Sequence, residues 1–147
     1  MNSIFDAAER SAVRARIERL QAQASRQWGK MEAAQMMAHC ALPLEVGTGD
    51  LPAKQSLFGK LVSPLARKAV FGPEPFKKNA PTGFRVLDAR DFGREKARLL
   101  GVLDRFAAAG PAKAASHVHP FFGRLSGDDW GRLMWKHLDH HLRQFSS

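Results

Sequence analysis

The sequence predicts an all-α fold, an up-down four-helix bundle with a long irregular connection in the middle. Four segments carry apolar residues at helical spacing, and no segment shows a convincing strand pattern. The connection, residues 47–90, is rich in proline and glycine. The 147 residues are enough for a substantial core and fit a single domain. We therefore expect residues 1–147 to form one helical domain.

The first two helices lie in the front third of the chain. Residues 4–23 place apolar side chains one helical turn apart, and the spacing of Ser3 and Asp6 predicts a capping box at their start. A short polar break follows. The second helix is expected over residues 32–42, because Pro43 follows directly and proline is unfavourable inside a helix.

The connection contains one further helical pattern and one weak strand pattern. Residues 56–71 have helical spacing, with Pro64 expected to bend or split the helix. The stretch GFRVLDA is the one strand candidate, and it is too short to imply a sheet. The rest of the connection is expected to be a long loop, and a long loop in a compact domain is often a lid or a binding segment.

The last two helices are the clearest. Residues 91–109 carry an apolar stripe, and the Gly-Pro pair at 110–111 is a strong stop signal. A loop then leads to the final helix. Ser126 and Asp129 predict a capping box at its start, and the pattern continues to about Phe145.

The composition indicates which partners and which cellular compartment to expect. The formal net charge is +9, but the basic residues are scattered and no nucleic-acid-binding motif accompanies them, so nucleic acid is an unfavoured partner. No apolar run approaches the ~20 residues of a membrane span, and the charged N-terminus lacks a secretory signal pattern. The single cysteine, Cys40, suits a reducing compartment. We expect a cytoplasmic protein without a membrane partner, and a homodimer remains open.

Three histidines occur in the last helix, in the stretch WKHLDHHLRQF. At about 100° per residue, His141 lies about 40° and Trp130 about 20° from His137, whereas His140 lies about 60° away on the other side. His137 and His141 thus share the middle of the apolar face, one turn apart. Two buried imidazoles need hydrogen-bond partners and would repel each other if both were protonated. A divalent cation resolves both problems, although core histidines bonded to carbonyl groups remain an alternative.

The second helix offers a third ligand. His39 lies in the apolar stretch QMMAHC, and Gln35 precedes it by one turn on the same face. Cys40 is rotated by about 100° from His39, so the two side chains can hardly reach the same ion. A core histidine is the alternative interpretation of His39, and it weakens if His137 and His141 already form a pair across the bundle.

Two blocks of the chain resemble a known family. RQWGKMEAAQMMAHC and HPFFGRLSGDDWGRLMWKHLDHHLRQF resemble the DinB-like superfamily of metal-binding four-helix bundles, and more narrowly an uncharacterised subgroup within it. The resemblance implies a single DinB-like domain over the whole chain. It also implies that His39, His137 and His141 bind one divalent metal ion. The sequence does not distinguish zinc, nickel and iron.

The resemblance implies an activity only in outline. Characterised relatives include transferases and isomerases that use low-molecular-weight thiols such as bacillithiol or mycothiol. The resulting hypothesis is a metal-dependent enzyme in which an activated thiolate or hydroxide attacks a small electrophilic molecule. The alternative is a helical protein that binds metal without catalysis, in a structural or stress-related role, and a nucleic-acid-associated protein is less favoured still.

Other polar and aromatic residues are candidates for the surroundings of the metal. Trp28, Gln35, His140 and Gln144 are expected to line the pocket or to support the ligands. His119 precedes a proline in the loop before the metal helix and is a candidate general acid or base. The alternative, which we favour slightly, is that His119 only caps or packs this loop.

Overall fold

The computed structural model describes residues 2–147 of the chain. This part of the protein is mostly helical, with five helices and one small antiparallel sheet. The helices are α1 (Ala7–Arg19), α2 (Ala33–Thr48), α3 (Leu57–Phe71), α4 (Phe92–Ala115) and α5 (Gly127–Gln144), and the strands are β1 (Val118–His119) and β2 (Gly123–Arg124). Among the helices described, none is long and apolar enough to cross a membrane.

The helix α2 is the most deeply buried element. Twelve of its 16 residues are buried, because nearly the whole helix is apolar, and it packs against both α4 and α5. The helix α1 packs against α4 and α5, whereas α3 packs against α5. Large side chains such as Phe106 and Trp130 are almost completely buried between these helices. The histidine-bearing faces of α2 and α5 therefore meet inside the protein.

An ion-pair cluster links α2 to α4. The guanidinium group of Arg98 contacts both carboxylate oxygens of Glu45, with Nε–Oε1 and Nη2–Oε2 distances of 2.7 and 2.8 Å. The same group lies 3.1 Å from Glu95, which is buried and also contacts Arg90. A two-pronged contact of this kind fixes direction as well as distance. It therefore helps to set the register of the two helices.

The predicted end of the second helix was wrong. The helix α2 continues through Pro43 to Thr48, and it ends where Gly49 adopts a left-handed conformation with φ of 88°. Proline removes one backbone hydrogen bond, but the residues beyond it, such as Leu44 and Val46, are completely or almost completely buried. Their burial offsets the lost bond, and glycine supplies the actual stop signal.

The start of the first helix also differs from the prediction. Asp6 alone is the N-terminal cap of α1, because its carboxylate accepts hydrogen bonds from the backbone N–H groups of Ala8 and Glu9. The predicted capping box with Ser3 was wrong. The Ser3 hydroxyl instead accepts a hydrogen bond from the backbone N–H of Phe5, before the helix begins.

The connection, and the helix α4 that follows it, were predicted in part. A helix does span Leu57–Phe71 with Pro64 inside it, as expected. The strand candidate GFRVLDA is not a strand. Gly110, with φ of 81° and ψ of 173°, interrupts α4 rather than ending it, and Pro111 opens a last helical turn. The predicted loop therefore begins later.

The loop before the final helix contains the small sheet. The strands β1 and β2 pair antiparallel, with Val118 opposite Arg124 and His119 opposite Gly123. The final helix begins after Ser126 as predicted, and the Ser126 hydroxyl accepts a hydrogen bond from the backbone N–H of Asp129. Among the described residues, this bond is the only half of the predicted capping box that forms. The hairpin thus holds His119 a few residues ahead of the helix that carries His137.

We predict that Gly47→Ala destabilises the protein. A Cβ atom at Gly47 on α2 would lie 2.5 Å from Cε2 of the Phe106 ring on α4. Overpacking of this kind costs typically about 1–3 kcal/mol, more than the helix propensity that alanine adds. Urea unfolding measures the difference. Gly83→Ala is the matched control, since a Cβ atom there meets nothing within 4 Å. Equal stabilities of the two variants would contradict the close approach.

Candidate metal centre

The three histidines predicted as ligands lie together between α2 and α5. His39 comes from α2, and His137 and His141 come from successive turns of α5. One ring nitrogen of each lies within 4.8 Å of those of the other two, which is close enough to hold a metal ion. His39 and His141 are buried, and His137 is half-buried. The spacing of four residues on α5 brings two rings to one point, and α2 supplies the third.

Hydrogen bonds fix the protons of two of these rings. Nδ1 of His39 lies 2.6 Å from the carbonyl oxygen of Phe84, which can only accept, so Nδ1–H donates. Nδ1 of His141 lies 2.8 Å from Oε1 of Gln144, whose Nε2 donates to the carbonyl oxygen of Trp28 at 2.7 Å. This second bond orients the amide, so His141 must also be protonated at Nδ1. Both rings therefore keep a lone pair on Nε2.

The third ring is held by the first. Nε2 of His137 lies 2.8 Å from Nε2 of His39. Because Nε2 of His39 is an acceptor, Nε2–H of His137 donates a hydrogen bond to it in this arrangement. Two nitrogens bound to one tetrahedral ion at ~2.0–2.1 Å lie about 3.3–3.4 Å apart. An ion would therefore replace this proton and widen the pair by about half an ångström, a small side-chain adjustment.

The local electrostatics keep all three rings neutral. Burial lowers the pKa of His39, and the hydrogen bond to the Phe84 carbonyl opposes this only in part. Burial, with His39 and His141 nearby, holds the pKa of His137 well below its ordinary value. Burial lowers the pKa of His141 to about 3. Neutral imidazoles are the form that binds a cation, so the donor set fits a divalent ion.

A cavity of about 510 Å³ adjoins the histidines. His137 and His119 both line it, and the rest of the wall is mainly apolar, including Phe76, Phe84, Phe121, Phe122, Leu133 and Met134. A cavity of this size can enclose a small organic molecule, and binding sites typically combine such apolar walls with a few polar groups. His137 thus belongs both to the candidate metal centre and to the wall of the cavity.

His119 has a structural contact on one side of its ring. Nδ1 accepts hydrogen bonds from the backbone N–H groups of Phe121 and Phe122, at 3.1 and 3.2 Å. Burial lowers the pKa of His119 to about 4, so the ring is neutral and its one proton lies on Nε2. The residue does cap the hairpin, as the favoured alternative expected. It also lines the cavity, with Nε2–H as its remaining polar group.

The comparison with known families identifies the chain by family alone. A family model described as "Protein of unknown function (DUF1569)" matches residues 4–147. The chain belongs to the DUF1569 family. This match covers all three histidines and both strands of the hairpin. No curated protein and no solved structure shows a significant match.

Gln144 and His140 of this DUF1569 chain contact His141, and Trp28 contacts both of them. Gln144 binds His141 directly, and the backbone of Trp28 orients Gln144. The ring of Trp28 also packs against His140, with ring centroids 5.4 Å apart. His140 itself packs against His141, with ring centroids 4.9 Å apart. These contacts support the ligands from the side of α5.

Gln35 has a different position from the one expected. Its Oε1 accepts a hydrogen bond from the backbone N–H of Glu32, and its Nε2 donates to the carbonyl oxygen of Asp88. The amide oxygen of Gln35 therefore stabilises the start of α2, and the amide nitrogen holds the connection. None of its hydrogen bonds reaches the three histidines.

Sequence reasoning missed Phe84, whose backbone orients His39. The carbonyl oxygen of Phe84 accepts a hydrogen bond from Nδ1–H of His39, and Phe84 also lines the cavity. A backbone carbonyl leaves no trace in residue identity, so no pattern in the sequence marked this contact. The aromatic side chain in the Pro- and Gly-rich connection of the DUF1569 chain was the one available signal.

We predict that the metal-free protein loses stability as the pH falls from 7 to 5. In the unfolded chain these histidines titrate near 6.5, but in the folded protein His119 and His141 stay neutral to about 4 and 3. Below 6.5 the unfolded state therefore binds more protons, and each group lowers the free energy of unfolding by up to about 1.4 kcal/mol per pH unit. His39 and His137 act in the same direction. Urea unfolding in a chelator at several pH values measures the slope, and a flat profile contradicts burial of the neutral rings.

Proposed function

We propose that this chain is a metal-dependent enzyme that binds one divalent cation through His39, His137 and His141 and acts on a small electrophilic molecule in the adjoining cavity. One observation carries the proposal. Three neutral imidazoles, two of them with their protons fixed on the far nitrogen, converge at the wall of a cavity large enough for a substrate. The reaction class is transfer of a low-molecular-weight thiol or hydrolysis.

The arrangement of the helices supports a DinB-like four-helix bundle. The helices α2, α4 and α5 pack against one another around the buried apolar residues, and α1 packs against α4 and α5. The helix α3 lies within the connection and packs against α5. In such bundles, metal sites are built from side chains that project inward from facing helices. The position of the histidines on α2 and α5 follows this pattern.

The ligand set favours an open site over a closed one. Structural zinc sites usually have four protein ligands, whereas catalytic sites keep three and leave a position for water or substrate. Here three histidines form the cluster, and His137 also lines the cavity. When bound there, a divalent ion lowers the pKa of a water or thiol that it contacts. Zinc, nickel and iron are all compatible with three imidazoles.

The protein's own thiol is unsuited to act as the nucleophile. Cys40 is buried, its Sγ lies 3.7 Å from Sδ of Met36, and burial raises the pKa of this thiol far above its ordinary value. A thiol reaction in this cavity therefore needs a thiol from solution. Low-molecular-weight thiols are abundant in reducing compartments, so we place the protein in the cytoplasm.

His119 contributes a hydrogen-bond donor to the cavity. Its Nδ1 is occupied by two backbone N–H groups, so this nitrogen cannot accept a proton from a substrate. The Nε2–H group can donate to a carbonyl or leaving-group oxygen of a molecule in the cavity. The aromatic walls exclude water around that bond, which strengthens it relative to the same bond in solution.

The alternative function is metal binding without catalysis, in a structural or stress-related role. It requires only the three histidines and leaves the cavity without a role. Because His137 and His119 both line a cavity with mainly apolar walls, we favour the enzyme. A nucleic-acid-associated role is less favoured, since neutral histidines and apolar walls offer nothing to a phosphate backbone.

We predict that the protein, purified without a metal-affinity tag, binds one equivalent of zinc, nickel or ferrous iron. His137→Ala removes one of the three proposed ligands, so the affinity should fall at least ~100-fold, beyond the range of an outer residue. Isothermal titration calorimetry and elemental analysis measure binding. Arg132→Ala is the matched control on the same helix, because Arg132 is exposed to solvent, and this variant should bind metal normally. A wild-type protein that takes up none of the three metals stoichiometrically would remove the basis of the proposal.

We predict a smaller effect for Gln144→Leu. This change removes the acceptor that holds the Nδ1 proton of His141, and losses of this kind lower metal affinity by about 10–100-fold. Gln35→Leu is the matched control, because it removes an amide that starts α2 and does not touch the histidines. The two variants are compared by the same titration. An equal affinity loss in both would mean that the effect is general destabilisation.

We predict metal-dependent turnover in a screen that combines small thiols with electrophilic epoxides, halides and esters. His119→Asn keeps an acceptor near the hairpin N–H groups and removes the Nε2 donor, so kcat should fall about 100-fold while metal content is unchanged. Product formation is followed by mass spectrometry. If no thiol and no hydrolysable ester turns over in the metal-loaded protein, the non-catalytic alternative replaces the enzyme.

A further inference from the structure

The helix α3 presents large apolar side chains to solvent. The exposed fractions are 84% for Leu57, 61% for Phe58, 78% for Leu61 and 83% for Leu65. At about 100° per residue, these four fall within a stripe about 100° wide on one face. Single exposed apolar residues are ordinary, but a continuous stripe marks an interaction surface. We call these four residues the α3 stripe.

The orientation of α3 is fixed by its opposite face. The buried residues of the helix are the small residues Gly59 and Ser63. A Cβ atom at Gly59 would lie 2.5 Å from the backbone oxygen of Phe121, so the helix contacts the hairpin turn closely there. Rotating α3 to bury the leucines would force larger side chains into this contact. The α3 stripe therefore stays exposed, because α3 cannot rotate to bury it against the rest of the protein.

Positive charge accompanies the α3 stripe. Lys60 and Lys68 are exposed on the same helix, Lys54 is exposed just before it, and α3 contains no aspartate or glutamate. The whole chain carries a formal net charge of +9. The candidate metal centre uses neutral histidines, so it does not account for this charge. An apolar stripe bordered by lysines is the pattern of helices that lie in a membrane interface.

We propose that α3 docks the protein on an anionic lipid surface. The α3 stripe enters the boundary between headgroups and acyl chains, and Lys60 and Lys68 contact lipid phosphates with their long side chains. This peripheral contact differs from the membrane span that the sequence excludes, and it revises the expectation that the protein has no membrane partner. The docking does not depend on the metal centre.

The positive charge of α3 favours a lipid surface over a second copy of the chain or a nucleic acid as the partner of the α3 stripe. A second copy docked through the same face would bring two sets of α3 lysines together, and α3 supplies no carboxylate to pair them. A nucleic acid would attract the lysines but would leave the leucines in water. An anionic bilayer satisfies both the apolar and the cationic residues.

The α3 stripe is continuous with the cavity. Phe58 and Ser56 line the cavity as well as the start of α3, and the rings of Phe58 and Phe121 lie 6.0 Å apart. Docking would therefore place the cavity against the lipid surface. Taken with the proposed function, on which this one step rests, the docked enzyme would take apolar electrophiles from the bilayer.

The test is flotation of the full-length protein with vesicles. Phosphatidylcholine vesicles containing phosphatidylglycerol should bind the protein at low salt, and pure phosphatidylcholine vesicles should bind it at least tenfold more weakly. The double variant Leu61→Ser, Leu65→Ser should lose at least tenfold in partitioning. Leu87→Ser is the matched control, because Leu87 is 83% exposed outside α3 and should leave binding unchanged.

A second pair of variants separates charge from apolar contact. Lys60→Gln with Lys68→Gln should lower binding to anionic vesicles by about tenfold or more, and high salt should do the same. Absence of binding to anionic vesicles overturns the proposal. So does a stable dimer in analytical ultracentrifugation that the double leucine variant dissociates. Metal content of each variant is measured in parallel, so failure of docking and failure of the metal centre are distinguished.

Discussion

The hydrogen bonds to the outer nitrogens of His39 and His141 are the interactions on which the candidate site depends. An imidazole has two nitrogens, and a neutral ring can offer a lone pair from only one of them. The carbonyl group of Phe84 and the amide of Gln144 determine which one, because each accepts a hydrogen bond from Nδ1–H. Without these acceptors the rings could exchange protons between their nitrogens and rotate away from a common point. The three histidines would then be close but not convergent.

The rest of the fold serves to hold those acceptors in place. Gln144 depends on the backbone of Trp28, which comes from the segment between α1 and α2. Phe84 comes from the part of the connection that follows α3. Segments distant in sequence therefore meet around α2 and α5. The close approach of Gly47 to Phe106 and the two-pronged contact of Arg98 keep α2 in register with α4. A small change in helix position would lengthen bonds that need to be near 2.8 Å.

Features that repeat with the period of a helix could be predicted from the sequence, whereas contacts made by backbone groups could not. The positions of His137 and His141 on one face follow from the repeat of the helix, so their proximity was predictable. The predicted end at Pro43 was wrong because burial of the following turn outweighs one lost hydrogen bond. The contact of Phe84 with His39 could not be predicted, since it uses a carbonyl oxygen that every residue has. The same is true of the N–H groups that bind His119.

Phe84 joins two processes that are usually considered separately. Its carbonyl oxygen holds the ring of His39, while its own aromatic ring forms part of the cavity wall. Any molecule that packs against that ring and restricts the segment also restricts the position of His39. By thermodynamic reciprocity, an ion that orders His39 would strengthen the binding of such a molecule by the same factor by which the molecule strengthens binding of the ion. The irregular connection would thus couple occupancy of the proposed metal centre to occupancy of the cavity.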